Sequence, residues 1–201
     1  MIAIVDYGAG NLQSVKKALD YLGFQSEITY DKNKINKASH IILPGVGSFG
    51  DAMESMRKRG LEETVKNAAS GERPFLGICL GLQLLFAESE ESEGSEGLDV
   101  FGGEIKRIPN IDSLKVPHMG WNSISIKQNN GIFKGIDDGS YFYFVHSYYL
   151  SGAESGIVGA TTQYGVEIQC AVQRGLVAAT QFHPEKSSEA GLQILKNFAE
   201  E

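Results

Sequence analysis

The chain has 201 residues, of which 42% are hydrophobic and 21% are charged, and its formal net charge at pH 7 is −7. This length suits one domain with a substantial core, so we expect a single domain over residues 1–201. The acidic balance and the lack of a basic run exclude an ordinary nucleic-acid or membrane-surface binder, because no Lys/Arg cluster is available to neutralise phosphates.

The two cysteines, Cys79 and Cys170, are too few for a disulfide framework, which favours a reducing compartment. Met1 leads directly into an apolar segment without a basic leader or a cleavage site, and no apolar run approaches ~18 residues. The sequence therefore predicts a soluble, cytoplasmic protein.

Strand-like and helix-like segments alternate in the first half of the chain. Strands are predicted at the apolar runs of residues 2–5, 40–43 and 75–76, and also at residues 26–30. The first helix is predicted from Leu12 to Gly23, and a second is predicted to bury Ala52, Met53, Met56, Leu61 and Val65. Strands separated by helices indicate βαβ crossovers and a parallel sheet.

The second half has a different pattern. Five glutamates between Glu88 and Gly97 are typical of a solvated loop. Short β-type runs follow at residues 124–126, 141–149, 157–161, 168–172 and 176–182. A last helix is predicted from Ser188, with Leu192, Leu195 and Phe198 inside. The prediction is an α/β fold with a central, mostly parallel sheet flanked by helices, plus an antiparallel or mixed β extension.

The segment Gly77-Ile78-Cys79-Leu80-Gly81 has the G-x-C-x-G spacing of a nucleophile elbow with a thiol in place of the usual hydroxyl. Small residues two positions either side of the cysteine allow a sharp strand-to-helix turn. The helix N-terminus favours a thiolate, and the amide of Leu80 could meet a carbonyl oxygen. A buried structural cysteine is the alternative interpretation of this segment alone.

A nucleophilic cysteine needs a base, and His183 is the best candidate of the four histidines. Pro184 favours an extended conformation at His183, so Glu185, two residues on, projects to the same side and can orient the imidazole. A solvated His–Glu pair in a loop is the alternative. We expect His40 at the surface, His118 in a loop-like segment, and His146 packed and hydrogen-bonded.

Two glycine-rich loops follow predicted strands. Residues 44–47 (Pro-Gly-Val-Gly) could turn a backbone amide inward as a second oxyanion donor, with Val46 and Gly47 beside Leu80; a plain turn is the alternative. Residues 8–11 match neither a dinucleotide fingerprint nor a P-loop, which favours a tight turn.

The cysteine elbow, the glycine loop and the H-P-E segment together indicate acyl transfer through a thioester. This set of motifs resembles that of the class I (triad-type) glutamine amidotransferases. Within that superfamily the chain resembles the glutaminase subunits of imidazole glycerol phosphate synthases. The elbow and H-P-E indicate only the superfamily, whereas P-H-M-G-W-N and F-V-H-S-Y are specific. The segments that carry this resemblance are residues 6–12, 44–50, 117–122, 143–148 and 181–187.

The resemblance implies a flavodoxin-like α/β fold and a glutaminase that needs no cofactor or metal ion. Its ammonia would pass to a separate (β/α)-barrel cyclase subunit in a heterodimer of histidine biosynthesis. The positions that match substrate-binding residues are Gln83, Glu91, Ser147 and Tyr148. The positions that match residues facing the cyclase are Asn11, Trp121, Tyr143 and Lys186.

Three other functions stay open at this stage. They are a glutaminase subunit of purine or pyridoxal phosphate synthesis, a stand-alone cysteine hydrolase of γ-glutamyl bonds, and a binding module in which Cys79 is structural. We further expect the oxyanion loop to rest with the Val46 amide turned away, and the partner to favour the inward orientation.

Overall fold

The computed structural model describes residues 1–111 and 114–201. Its strands are β1 (Ile2–Val5), β2 (Ser26–Thr29), β3 (His40–Gly45), β4 (Phe75–Cys79), β5 (Glu104–Arg107), β6 (His118–Ser123), β7 (Ser125–Ile126), β8 (Tyr141–His146), β9 (Tyr148–Ser151), β10 (Val158–Tyr164), β11 (Val166–Arg174) and β12 (Val177–Thr180). Its helices are α1 (Leu12–Tyr21), α2 (Lys32–Lys37), α3 (Phe49–Lys58), α4 (Glu62–Ala68), α5 (Leu80–Gln83) and α6 (Ser188–Ala199), with 3₁₀ turns at Gly131–Phe133, Ser155–Ile157 and Pro184–Lys186.

The central sheet has eight strands in the order β2-β1-β3-β4-β12-β11-β10-β7. The neighbours from β2 to β12 are parallel, whereas β12, β11, β10 and β7 pair antiparallel. Two antiparallel ribbons, β5-β9 and β6-β8, complete the β structure of the described residues. The predicted α/β fold with a β extension is confirmed.

Both faces of the sheet are covered, as the unbroken apolar runs predict. Successive side chains of a strand point to opposite faces, so Ala3 and Val5 belong to one core cluster and Ile2 and Ile4 to another. α6 packs on the second cluster through Ile194, Leu195 and other residues, while the expected Leu192 is only partly buried there.

Several elements differ from their prediction. The second helix is two helices, α3 and α4, because Gly60 adopts φ 65° between them. The predicted strand 141–149 divides into β8 and β9 at Ser147. The segment around His118, expected to be loop-like, forms β6, whose pairing with β8 supplies the backbone hydrogen bonds. The short elements α2 and β5 were not predicted.

No helix in residues 1–111 and 114–201 has both the length and the apolar character needed to cross a membrane.

Candidate active site

Cys79 is the last residue of β4 and occupies a strained backbone conformation, with φ 56° and ψ −108°. The chain turns there directly into α5. A Cβ on Gly77 would lie 2.6 Å from the Gly81 carbonyl oxygen, and a Cβ on Gly81 would overlap the Leu43 carbonyl oxygen. Glycine is therefore required on both sides of the elbow, as the motif predicts. Cys79 is 7% exposed.

His183 and Glu185 form a buried pair at the end of β12. The Nδ1 atom of His183 lies 2.9 Å from Oε1 of Glu185, and the side chains are 2% and 1% exposed. His183 is extended (φ −98°, ψ 96°) and the 3₁₀ turn begins at Pro184. The structure therefore contains the contact between Glu185 and the His183 imidazole that the sequence predicts.

Cys79 and His183 line the same cleft, which has a volume of about 330 Å³. Burial by itself lowers the pKa of His183, but contact with Cys79 and Glu185 and their negative charges outweigh burial and raise this pKa to about 9. The Nε2 atom of His183 has no hydrogen-bond partner in the described residues, so it is free to exchange a proton.

The loop after β3 lies beside the elbow because Gly45 pairs with Cys79 in the parallel β3-β4 ladder. Val46 and Gly47 line the cleft together with Leu80. Val46 is 43% exposed, and its amide and that of Gly47 donate no hydrogen bond within residues 1–111 and 114–201. These amides are available to a ligand, and the inward orientation of the Val46 amide stays a prediction.

All four expected substrate-binding residues line this cleft: Gln83, Glu91, Ser147 and Tyr148. The Nε2 atom of Gln83 donates to the Tyr148 carbonyl oxygen at 3.1 Å. The Oε2 atom of Glu91 accepts a 2.8 Å hydrogen bond from the Phe49 amide. Glu91 is the residue of the acidic run that lines the cleft. Burial raises the pKa of Glu91, the Phe49 amide opposes this, and the charge of Asp51 adds to it.

Three of the expected partner-facing residues form a continuous surface. Trp121 pairs with Tyr143 across the β6-β8 ribbon, their ring centroids are 6.3 Å apart, and Lys186 Nζ lies 5.7 Å from the Tyr143 ring centroid. Asn11 lies just before α1, where its Oδ1 accepts from the Ser14 hydroxyl at 2.9 Å; α1 contacts the 3₁₀ turn that contains Lys186. Trp121 is 51% exposed.

The other histidines are placed differently from His183. The Nδ1 atom of His146 donates to the Tyr148 carbonyl oxygen at 2.8 Å, so its Nε2 accepts from His118 Nδ1 at 3.0 Å. The expectation of a packed, hydrogen-bonded His146 is confirmed. His40 is half-buried against Phe198 rather than at the surface.

Sequence reasoning missed Gln181, although it directly precedes the F-H-P-E segment. Gln181 is fully buried, and its Nε2 lies 3.7 Å from the Cys79 sulfur. It also missed the exposure of Met119 (63%) beside Trp121, for which alternation along a strand was the available signal. In the described residues no group of three His, Cys, Asp or Glu side chains could hold a metal ion.

Solved structures of low sequence identity share this fold. The structure of PurLQS from Thermotoga maritima superposes with a TM-score of 0.76 at 20% identity, and the match covers 98% of this chain and 96% of that one. A structure described as a glutamine amidotransferase gives a TM-score of 0.75, also at 20% identity, over 98% of each chain.

Sequence comparison gives the family. Residues 3–201 match the model of class-I glutamine amidotransferases. The chain is 52% identical over 199 residues to the imidazole glycerol phosphate synthase subunit HisH of Moorella thermoacetica, covering 99% of this chain and 94% of that protein. It is 44% identical over 200 residues to the subunit of the same name from Listeria monocytogenes, covering 100% of this chain and 95% of that protein. The chain therefore belongs to the HisH family of class-I glutamine amidotransferases.

Proposed function

We propose that this chain hydrolyses glutamine to glutamate and ammonia through a thioester on Cys79, and that it delivers the ammonia to a cyclase subunit for histidine biosynthesis. The observation that carries the proposal is the cysteine on a strained elbow that shares a cleft with a buried His183–Glu185 pair. A structural cysteine would need neither the strain nor the imidazole.

The first step makes the nucleophile. His183 accepts the thiol proton of Cys79 at Nε2, which has no other hydrogen-bond partner in the described chain. Glu185 accepts from the opposite ring nitrogen, which fixes the tautomer and stabilises the imidazolium. The raised pKa of His183 favours the protonated imidazole that this step forms.

The thiolate then attacks the side-chain amide carbon of glutamine. The oxyanion is stabilised by the Leu80 amide at the start of α5 and by the Val46 amide from the neighbouring loop. His183 returns its proton to the departing nitrogen, and ammonia leaves. A water molecule, deprotonated by His183, attacks the thioester and releases glutamate and the free thiol.

Recognition of the substrate's amino-acid end is assigned to the opposite wall of the cleft. The buried Gln83, the Glu91 carboxylate and the backbone of Ser147–Tyr148 surround the space next to Cys79. Glu91 supplies a negative charge suited to the α-ammonium group, and the polar strand edge suits the α-carboxylate and the main-chain atoms.

The proposed partner surface consists of Asn11, Trp121, Tyr143 and Lys186. An exposed tryptophan next to a tyrosine and a lysine has the composition of an interface centre rather than of an ordinary surface. The partner we infer is a (β/α)-barrel cyclase that binds this surface as a heterodimer and uses the ammonia to make imidazole glycerol phosphate and aminoimidazole carboxamide ribotide.

The decisive experiment measures glutaminase turnover of the chain alone and with a HisH-type cyclase partner, with and without the cyclase ligand. Turnover that rises strongly with the partner supports the proposal. Equal turnover without a partner would instead indicate a stand-alone hydrolase of γ-glutamyl bonds, and activation only by a synthetase of another pathway would reassign the partner.

A further inference from the structure

The side chain of Gln181 lies next to the proposed nucleophile. β12 pairs in parallel with β4, with Thr180 opposite Ile78, so the residues that follow, Gln181 and Cys79, leave the sheet side by side. The Gln181 backbone amide is held by the Cys170 carbonyl oxygen at 2.8 Å, and the residue is 0% exposed. Burial and this backbone hydrogen bond restrict the orientations that the Gln181 side chain can adopt.

The orientation of the Gln181 amide follows from its neighbours. Gln83 Nε2 lies 3.1 Å from two oxygens, the Tyr148 carbonyl and Oε1 of Gln181. Both of these oxygens are acceptors, so the two N–H groups of Gln83 are used. Gln181 consequently presents Oε1 to Gln83 and Nε2 to the Cys79 sulfur, at 3.7 Å.

The sulfur has a second polar neighbour of opposite character. Its distance to the Val145 carbonyl oxygen is 3.9 Å, and a carbonyl oxygen can only accept the thiol proton. That contact is lost when the proton leaves. The contact from the Gln181 N–H group strengthens at the same moment, because hydrogen bonds to ionised acceptors are stronger than neutral ones.

We propose that Gln181 is a further catalytic residue, whose side-chain N–H group donates to the Cys79 sulfur and stabilises and aims the thiolate. The inference rests on the proposed function, because it needs Cys79 as the nucleophile. Gln83 holds the amide in the donating orientation and is thereby a positioning residue as well as part of the substrate cleft.

The test compares the variants Gln181→Met and Gln181→Leu, which remove the donor and keep an extended or apolar side chain. They are made in a Cys170→Ala background, so that Cys79 is the remaining thiol. The measurement is the pH dependence of the second-order rate of Cys79 alkylation by iodoacetamide. We expect the midpoint to rise by about one pH unit, a roughly ten-fold loss of thiolate at a given pH. Partner-activated kcat should fall by a similar factor.

The matched control is Thr180→Val, one residue away. Thr180 is also fully buried, and its hydroxyl donates a 3.0 Å hydrogen bond to the Phe182 carbonyl oxygen that the variant lacks. The Thr180 side chain makes no polar contact with the Cys79 sulfur. Its alkylation midpoint should equal that of the background. If folded Gln181 variants behave like this control, Gln181 is structural and the inference is wrong.

If the Gln181 variants do not fold, a measurement on the wild-type chain still tests the inference. The side-chain amide resonance of Gln181 should move as the pH is taken through the Cys79 titration, and it should not do so in Cys79→Ser. An unmoved resonance in the wild-type chain overturns the inference. A Cys79→Ser variant that keeps its glutaminase activity would instead overturn the proposed function, so the two failures are distinguishable.

Discussion

At the scale of single residues, the two cysteines have opposite surroundings. Cys79 borders an open cleft beside His183, whereas Cys170 is fully buried in β11, where burial raises its pKa. Thiolate character decides reactivity. The environment, rather than the residue type, therefore separates a candidate nucleophile from a core residue.

The nucleophile assignment predicts that Cys79→Ser abolishes glutaminase activity while the fold is retained, since the side chains are nearly isosteric. Turnover and circular dichroism of the purified variant check this. An electrophilic glutamine analogue should label Cys79, identified by peptide mass. Labelling of Cys170 in place of Cys79 would contradict the assignment.

Substitution of His183 should lower glutaminase turnover more than substitution of Glu185. His183→Ala removes the base and should lower turnover by ~10²–10⁴-fold. Glu185→Gln keeps a hydrogen-bond acceptor for His183 Nδ1 and should cost less. Steady-state rates of the two variants with partner decide the order. A loss of chemistry in folded His146→Ala as large as that in His183→Ala would reassign the base.

Tyr7 offers a stability prediction. Its hydroxyl oxygen is buried without a hydrogen-bond partner in the described residues, at the place where a Cβ on residue 45 would project. An unsatisfied buried polar group costs about 1–3 kcal/mol. Tyr7→Phe should therefore raise the urea midpoint of unfolding. A clear fall of the midpoint would show that the hydroxyl has a partner in solution.

At the scale of elements, the loop between β3 and α3 is the expected site of control. Gly47 has φ 99°, a conformation that suits glycine, yet no atom lies within 4 Å of the point where a Cβ would be. Gly47→Ala therefore strains the backbone without a clash. The Gly47→Pro variant forbids this φ altogether but would also move the loop directly.

If an inward Val46 amide is the activated state, Gly47→Ala should change the ratio of partner-activated to basal turnover, within the ~10²–10³-fold that one oxyanion donor contributes. Both rates are measured on the same preparation. An unchanged ratio would count against control by this loop. So would a structure of the free chain with both oxyanion amides already inward and very low basal turnover.

The His118–His146 pair joins β6 to β8 and predicts acid sensitivity. Burial lowers the pKa of His118 to about 4; burial, with the charge of His118, lowers that of His146 to about 3. Both rings bind a proton more readily when unfolded, so stability falls as pH drops below about 6.5. The loss between pH 6.5 and 5 is about 1.5 kcal/mol per ring.

His118→Phe should reduce this acid loss by about half, because it removes one of the two titrating rings. Phe should retain the packing on Tyr164, whose ring centroid lies 3.9 Å from that of His118. Urea midpoints at pH 7, 6 and 5 give the comparison. A pH slope equal to that of the wild-type chain would contradict the prediction. His183 acts in the opposite sense: its raised pKa stabilises the fold below about 6.5, and this contribution disappears as pH rises through about 9.

At the scale of the whole molecule, the ribbon β6-β8 has one face in the core and one exposed. Phe142 and Phe144 are fully buried, while Met119, Trp121 and Tyr141 are 63%, 51% and 61% exposed. An exposed apolar strip next to the catalytic cleft indicates a surface that is covered in an assembly.

Trp121→Ala should weaken binding of the cyclase partner by at least ten-fold and reduce activation, because aromatic side chains at the centre of an interface contribute the most. Calorimetric titration and coupled turnover measure the two effects. Tyr21→Ala is the control, since Tyr21 is 79% exposed on α1 but lies outside the proposed surface. Equal effects of the two variants would place the interface elsewhere.

Local patterns were sufficient for several features of the fold and the site. The elbow around Cys79 and the His183–Glu185 pair are each encoded within five residues, where turn geometry and strand alternation leave little freedom. The parallel strands could likewise be predicted from their apolar runs. The division of the second helix was missed because it depends on a positive φ at Gly60, which its apolar pattern does not reveal.

What the sequence determined by itself was therefore most of the elements of the central sheet, the family resemblance and the residues of the cysteine site. The tertiary structure decided which distant residues meet. Gln181 contacts a sulfur 102 residues away because β12 inserts next to β4, and His118 binds His146 because β6 pairs with β8. Such contacts depend on strand order and register, which arise from burial of both sheet faces over the whole chain rather than from any local pattern.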